Sequence, residues 1–287
     1  MTPSVVEAMP WTPDFSVSLP HERPRRVTLL DSSGGTDTAA ACNAAFLKLV
    51  LAARERNVFQ ALASKRIDEH FRVMGVAYPA MVHLPRSATA LFGIANRGAH
   101  MTAYTRDPAT GDIRMWVPRR SAHLRTWPGK LDNSVAGGVR ADESPLECIV
   151  HEADEEASLD PALVRDKVLP CGAVSYVSLS GAGSGGEHGL ISPDVLYVYD
   201  LQLPSTVVLS PQDDEVEAFY LWDMAQVKAA LFAGEFKTNC NLVLIDFFVR
   251  HGIITEDNEP DYLEILSRLH RKLPVPTSPP PPPRPAA

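Results

Sequence analysis

Apolar residues first settle into a helical rhythm after residue 37. Ala44, Leu47, Val50 and Leu51 share one side of a helix that Asp37 or Thr38 can cap and that runs to Arg54. Val58 to Leu62 adds a further helical turn or two. Phe71 to Tyr78 alternates until Pro79 stops it, and Met81 to Leu84 is a second short apolar run. Residues 25–90 therefore read as a small α+β unit. Ahead of it, residues 1–24 carry Pro3, Pro10, Pro13, Pro20 and Pro24 and read as an extended lead-in, with Trp11 and Phe15 packing on a later part of the chain.

From Gly98 the period drops to two. Ala99 to Thr105 and Ile113 to Pro118 flank a turn at 108–112, which predicts a hairpin. Gly172 to Leu179, Val195 to Leu201 and Ala218 to Trp222 are further strands. Amphipathic helices follow at Met224 to Phe232, Asn241 to His251 and Tyr262 to Leu273 and most simply pack around the sheet, which makes 91–273 a second, larger domain. The tail 274–287 holds eight of the 25 prolines, including an unbroken run from Pro279 to Pro283. It predicts an exposed polyproline II segment, either a disordered end or a ligand for a proline-reading module.

One helix in this second domain carries more than packing. Ser144 caps it, Pro145 suits its first position and Glu147 completes a capping box. At about 100° per residue, Leu146, Ile149, Val150, Ala153 and Ala157 form the apolar stripe. Glu152, Glu155 and Glu156 cluster on a different face, with Asp154 and Glu147 on the far flank. Three carboxylates at this spacing repel unless solvent or a cation compensates. The cluster is either a solvated acidic face or a site for Mg²⁺ or Mn²⁺, hard cations that bridge protein carboxylates to phosphate oxygens.

Charge adds a second clue. The 287-residue chain is 45% hydrophobic with a formal net charge of −8, which argues against a nucleic-acid-binding protein. Between Asp112 and Asp132, however, there is no acid, while Arg119, Arg120, His123, Arg125 and Lys130 occur together with Trp116 and Trp127. This is either a solvated basic loop or a cradle for an anionic group, since guanidinium forks match phosphate oxygens. Ser180 to Gly189 is a glycine-rich connection, a plain hairpin loop or a mobile cover in which Glu187 offers another carboxylate. It lacks the lysine and hydroxyl of a nucleotide-phosphate loop. His70, His83 and His100 have no ligand spacing and read as surface or core histidines, and the four scattered cysteines suggest neither zinc nor disulfides. No apolar run reaches the roughly 18 residues that cross a bilayer, and no signal-peptide core opens the chain. These features predict a cytoplasmic protein with no membrane partner.

The order Gly137, five residues, Glu143, seven residues, His151-Glu152, then Glu155-Glu156 and Leu159 resembles the Nudix box. His151 stands where that family has arginine, and Ser158 where it has glycine. Met-Trp-Val-Pro-Arg-Arg-Ser at 115–121, Trp-Pro-Gly-Lys-Leu-Asp-Asn-Ser-Val-Ala-Gly-Gly at 127–138 and Gly-Glu-Phe-Lys at 234–237 are similar to the thiamine pyrophosphokinase-related Nudix subgroup, whose box ends in Ala-Ser.

The resemblance implies an α/β fold, a Nudix-type α/β/α sandwich with a mixed sheet, preceded here by the small α+β domain. It implies hydrolysis of a small organic diphosphate, thiamine diphosphate or its oxidised forms, to the monophosphate. Glu152, Glu155 and Glu156 would hold the metal, with Glu155, Glu152 and His151 in catalysis. Arg119, Arg120, Arg125, Lys130, Gly137 and Gly138 would bind substrate, with Glu143, Glu187, Glu215 and Glu217 as further carboxylates. An isopentenyl-diphosphate-isomerase-like enzyme and a non-catalytic ligand-binding module are the alternatives. For the isomerase no matching cysteine–glutamate pair is found, and His151 lends weight to the module.

Overall fold

The computed structural model describes residues 1–18, 21–63, 67–76 and 80–279. The lead-in is not extended as expected. Pro3 starts a short helix, α1 (Pro3–Ala8), and β1 (Phe15–Val17) pairs antiparallel with β2 (Val27–Leu29). The reason is apolar burial: Val5, Met9 and Phe15 join the core of the front unit, where Phe15 meets Phe46 edge-on at 5.9 Å.

That core is built on α2 (Thr38–Glu55), capped as predicted by Asp37, whose carboxylate accepts from the Ala40 amide. The turn after it is a 3-10 helix, Gln60–Ala63. β3 (His70–Arg72) pairs with β4 (His83–Pro85), and a short helix, α3 (Thr89–Phe92), leads out. The predicted run from Phe71 to Tyr78 is cut short at Arg72, and its end at residues 77–79 lies outside the described residues.

The chain from β5 onward forms a mixed sheet between helices, the fold that the family resemblance implies. β5 (Asn96–Arg106) and β6 (Ile113–Arg120) form the expected hairpin. A strand the sequence did not announce, β7 (Val135–Gly138), then enters α4 (Pro145–Ala157) and α5 (Pro161–Lys167). β8 (Leu169–Leu179), β9 (Ile191–Gln202) and β10 (Val216–Asp223) follow, and α6 (Met224–Phe232), α7 (Thr238–Arg250) and α8 (Tyr262–Leu269) close the chain. The strand order is β10-β6-β5-β9-β8, with β5 and β9 parallel and the other pairs antiparallel.

Alternation along β5 divides the core in two. Ala99, Met101 and Ala103 pack under α4 with Ile149, Ala153 and Ala157. On the opposite face Tyr104 meets Phe247 of α7, and Leu196 and Val198 of β9 meet Val243 and Leu269. β7 pairs with β5 at Gly98 to Met101, whereas β6 pairs with it at Tyr104 to Arg106. The two strands diverge along β5, and the functional groups collect where they part.

The tail differs from expectation as far as it is described. Leu273 is buried, and the Gly75 amide donates to the Ser278 carbonyl at 3.1 Å, so the chain folds back on the front unit. Most of the predicted proline run, residues 280–283, lies outside the described residues. No helix among the described residues is long and apolar enough to cross a membrane.

Candidate active site

Helix α4 begins as the sequence requires, with Ser144 Oγ accepting from the Glu147 amide. Its buried stripe is Cys148, Ile149, Val150, Ala153 and Ala157, whereas Leu146 is exposed. The stripe is rotated toward Cys148, which joins Ala99, Met101 and Tyr199 in the core of the sheet. The helix ends at Ser158 in the left-handed conformation, φ 53°, where glycine is the easier residue. Ser158 Oγ donates to the Ser210 carbonyl at 3.0 Å and offsets part of the strain.

The same rotation takes Glu152 and Glu156, one turn apart, out of solvent. Gly137 makes this possible: a Cβ there would run into the Glu152 carboxylate and lie 2.5 Å from its Cγ. A Cβ at Gly138 would come within 2.7 Å of Phe71 and 3.1 Å of Arg86. The glycine pair thus lets the acidic helix and the front unit both close on β7.

These residues wall a cavity of about 760 Å³. Its acidic side is His151, Glu152, Glu155 and Glu156 of α4, joined by Glu143 and by Asp213 and Glu215 ahead of β10. Burial raises the Glu152 carboxyl to about 7, against a restraining effect of Arg86, with Glu155 and Glu215 adding to the rise. Burial, together with the charges of Glu152 and Asp132, raises Glu156 well above the ordinary carboxyl range, although the Ala136 amide donates to it at 3.3 Å. Among the described residues neither makes an ion pair. Two half-buried carboxyls without an ion pair, facing a cavity, are suited to an oxygen-seeking divalent cation.

Glu155 stands apart from them. It is exposed and lies 3.1 Å from His151 Nε2, while His151 Nδ1 is 4.0 Å from Glu143. His151 therefore occupies a bridging place between two acids of the wall.

The cationic side differs more from the sequence reading. Arg120 lines the cavity and is held by Asp132 at 3.0 Å and the Thr126 carbonyl at 3.2 Å. Arg125 also lines it, donating to the carbonyls of Gln60 and Gly185. Arg119 and Lys130 do not. Arg119 donates to the Gly129 carbonyl and lies over the Tyr220 ring, and Lys130 donates to the Gly234 carbonyl, so both staple turns. Their places are taken by Arg86, Arg140 and Lys237. Arg86 comes from the front unit and Lys237 from the start of α7. No local spacing in the sequence ties either to the box.

Glu217 is exposed and outside the cavity, while Glu215 lines it. Glu187 lines it too, but its carboxylate is taken by the amides of Gln60 and Ala61. The glycine-rich connection is therefore docked on the front unit. Leu190 sits in that unit's core, and Gly186 abuts Ala61, where a Cβ would lie 3.1 Å away. Trp116 is a core residue, and Trp127 packs against Gly183.

Behind the cavity, His100, Asp132 and Cys240 bring three donor atoms within 4.8 Å, a grouping the sequence reading did not find. Asp132 is fully committed: Arg120, Lys237 (3.4 Å), the Cys240 thiol (2.8 Å) and the Asn133 amide (2.9 Å) all approach it. Burial opposes its charge, but Lys237 and Arg120 outweigh that and hold it at about 2. With two cations already present, this cluster is a structural ion network that fixes Arg120 and Lys237.

The NUDIX domain family model matches residues 97–240. Among curated proteins, the uncharacterized Saccharomyces cerevisiae protein YJR142W is 41% identical over 68% of this chain and 58% of its own. Nudix hydrolase 20, chloroplastic, of Arabidopsis thaliana is 38% identical over 68% of this chain and 49% of its own. The chain thus spans between about half and three fifths of these relatives. A crystal structure of DR0079 from Deinococcus radiodurans is 21% identical with a TM-score of 0.44, over 62% of this chain and 99% of that one. With the glycine pair, the acidic helix and the mixed sheet in the places described, the chain belongs to the Nudix family.

Proposed function

We propose that the protein hydrolyses the phosphoanhydride of a small organic diphosphate with the help of Mg²⁺ or Mn²⁺, releasing the monophosphate and inorganic phosphate. The observation that carries this reading is the half-buried Glu152–Glu156 pair facing a cavity that Arg86, Arg120, Arg125 and Lys237 also line. Carboxyls that favour a cation and cations that match phosphate oxygens thus line one cavity, the combination that metal-assisted hydrolysis of a diphosphate uses.

Glu152 and Glu156 would hold the cation, which neutralises phosphate charge and orients the attacking water. Arg120 and Lys237, braced by Asp132, grip the phosphate oxygens from the far side. Arg86 brings the front unit into the same grip. Glu155 is exposed and can accept the water's proton, steadied by His151 at 3.1 Å. Water adds to one phosphorus, the bridging P–O bond breaks, and the bridging oxygen leaves on the other phosphate.

Thiamine diphosphate and its oxidised forms are the proposed substrates. Support comes from the segments at 115–121, 127–138 and 234–237. The test is to incubate the purified chain and Mg²⁺ with thiamine, isoprenoid and nucleoside diphosphates and to score phosphate release. Turnover of thiamine diphosphate that is lost in Glu155→Gln and Glu156→Gln supports the reading. Ligand binding without turnover across the panel would favour a non-catalytic module.

A further inference from the structure

Past α8 the chain stays on the molecule. Leu269 is buried among Val174, Leu196, Val198 and Val243. His270 then bridges in parallel to Ser175 on the outer side of β8, the edge strand of the sheet. His270 Nδ1 donates to the Ala173 carbonyl at 3.1 Å, and Ser175 Oγ donates to the Arg271 carbonyl at 2.6 Å. Leu273 is buried next, and the segment then reaches the front unit. There the Gly75 amide donates to the Ser278 carbonyl at 3.1 Å, and Pro276 lies so near that a Cβ on Gly75 would come within 2.5 Å of its Cβ. Residues 270–278 thus tie the edge of the sheet to the turn that follows β3.

That turn ends a ladder whose other end enters the active-site cavity. The Val73 amide donates to the Val82 carbonyl, β3 and β4 pair from Arg72 and His83 to His70 and Pro85, and the Arg86 amide donates to the Glu69 carbonyl. From Val73 to Glu69 the ladder is about 13 Å long at the usual strand rise. At its far end Asp68, Glu69 and Arg86 line the cavity. Arg86 Nη1 donates to the Glu69 carboxylate at 2.9 Å, and its guanidinium lies 5.3 Å from the centre of the Phe71 ring, so the ladder itself sets its place. A two-stranded hairpin is marginal alone. Leu84 anchors this one in the front unit's core, but apolar contact is non-directional and leaves the position along the strands open. Hydrogen bonds near the two ends fix it: the Ala141 amide donates to the His70 carbonyl at 2.8 Å beside the cavity, and Gly75 donates to Ser278 at the other end.

We infer that residues 270–278 are a strap that positions Arg86 in the active site. Gly75, Pro276 and Ser278 touch no substrate; they are positioning residues that act through the β3–β4 ladder. Without the strap the ladder loosens from its Gly75 end, and the Arg86 guanidinium loses its aim at the phosphate oxygens. The inference rests on the diphosphate-hydrolase reading for what Arg86 grips.

The test is calorimetric titration, with Mg²⁺ present, of methylenediphosphonate, whose P–C–P bridge resists hydrolysis. Four proteins are compared: the full chain, the chain ended after Leu273, Arg86→Gln, and the two changes together. Residues 274–278 are exposed apart from the half-buried Val275, so their removal opens no core. Ending the chain after Leu273 should weaken binding by about tenfold, the size of one misplaced charge-assisted hydrogen bond. Arg86→Gln should weaken it at least as much, and the combined protein no more than Arg86→Gln alone. Amide hydrogen exchange should rise from Phe71 to Val73 in the shortened chain, with that of α4 unchanged. Full affinity in the shortened chain, or a loss that adds to that of Arg86→Gln, overturns the inference. Near-ultraviolet circular dichroism identifies a shortened chain that has not folded, and Pro276→Gly in the full chain then decides by the same criteria. A full chain that does not bind the diphosphonate sinks the diphosphate reading, and the exchange from Phe71 to Val73 then decides the strap alone.

Discussion

Gly137 and Glu152 compete for the same few ångströms, and that contact makes the glycine of the box a packing requirement. Gly137→Ala should displace the Glu152 carboxylate and destabilise the fold by about 1–3 kcal/mol, the usual cost of overpacking. Urea unfolding checks the stability, and activity should fall further than stability does. Asp132 is a second residue whose role the sequence did not signal. Removing its charge leaves Arg120 and Lys237 buried without their partner, and breaking such a pair costs about 3–5 kcal/mol, so Asp132→Asn should show a markedly lower urea midpoint. At position 151 the bridging geometry calls for a donor to Glu155 and Glu143, and arginine supplies more donors than histidine. His151→Arg should keep or raise activity. A dead His151→Arg beside an active His151→Ala would contradict this account of the position.

At the scale of elements, the connection between β8 and β9 couples the two units through Glu187, Leu190 and Arg125. Glu187→Ala should raise amide hydrogen exchange at Gln60 and Ala61 with the exchange of α4 unchanged, as mass spectrometry would show. Elements with long, regular patterns were legible: α2, α4, α6 and the hairpin of β5 and β6 fall where periodicity places them. β7 was not, because four residues ending in Gly-Gly carry no alternation to read. α5 carried a readable signal, Asp160 capping Pro161, but seven residues hold too little periodicity to stand out. The acidic half of the site was legible because it lies on one helix. The basic half was not: charge density drew attention to Arg119 and Lys130, whereas the groups that line the cavity include Arg86 and Lys237, brought in by tertiary packing. The sequence shows how many cations a loop carries, and the fold decides which of them find a carbonyl first.

For the whole molecule, the carboxyls of Glu152 and Glu156 link metal affinity to pH. Both are raised in the folded state, Glu152 to about 7 from an ordinary 4.5, so the folded protein retains protons that the unfolded chain has already lost. Without a divalent ion, their contribution to stability is greatest at low pH and declines as pH rises through that interval. A cation binds the ionised forms and reverses the penalty. The rise in melting temperature on adding Mg²⁺ should therefore be larger at pH 8 than at pH 6, and binding should release protons. An Mg²⁺ effect that is independent of pH would place the ion elsewhere.

The most direct measurement is phosphorus NMR of thiamine diphosphate with Mg²⁺ and either the wild-type chain or Glu156→Gln, whose shape is conserved. The account predicts that the wild type yields thiamine monophosphate and inorganic phosphate, and that the variant, folded by circular dichroism, yields neither. Equal product from both proteins would contradict a catalytic metal at the Glu152–Glu156 wall.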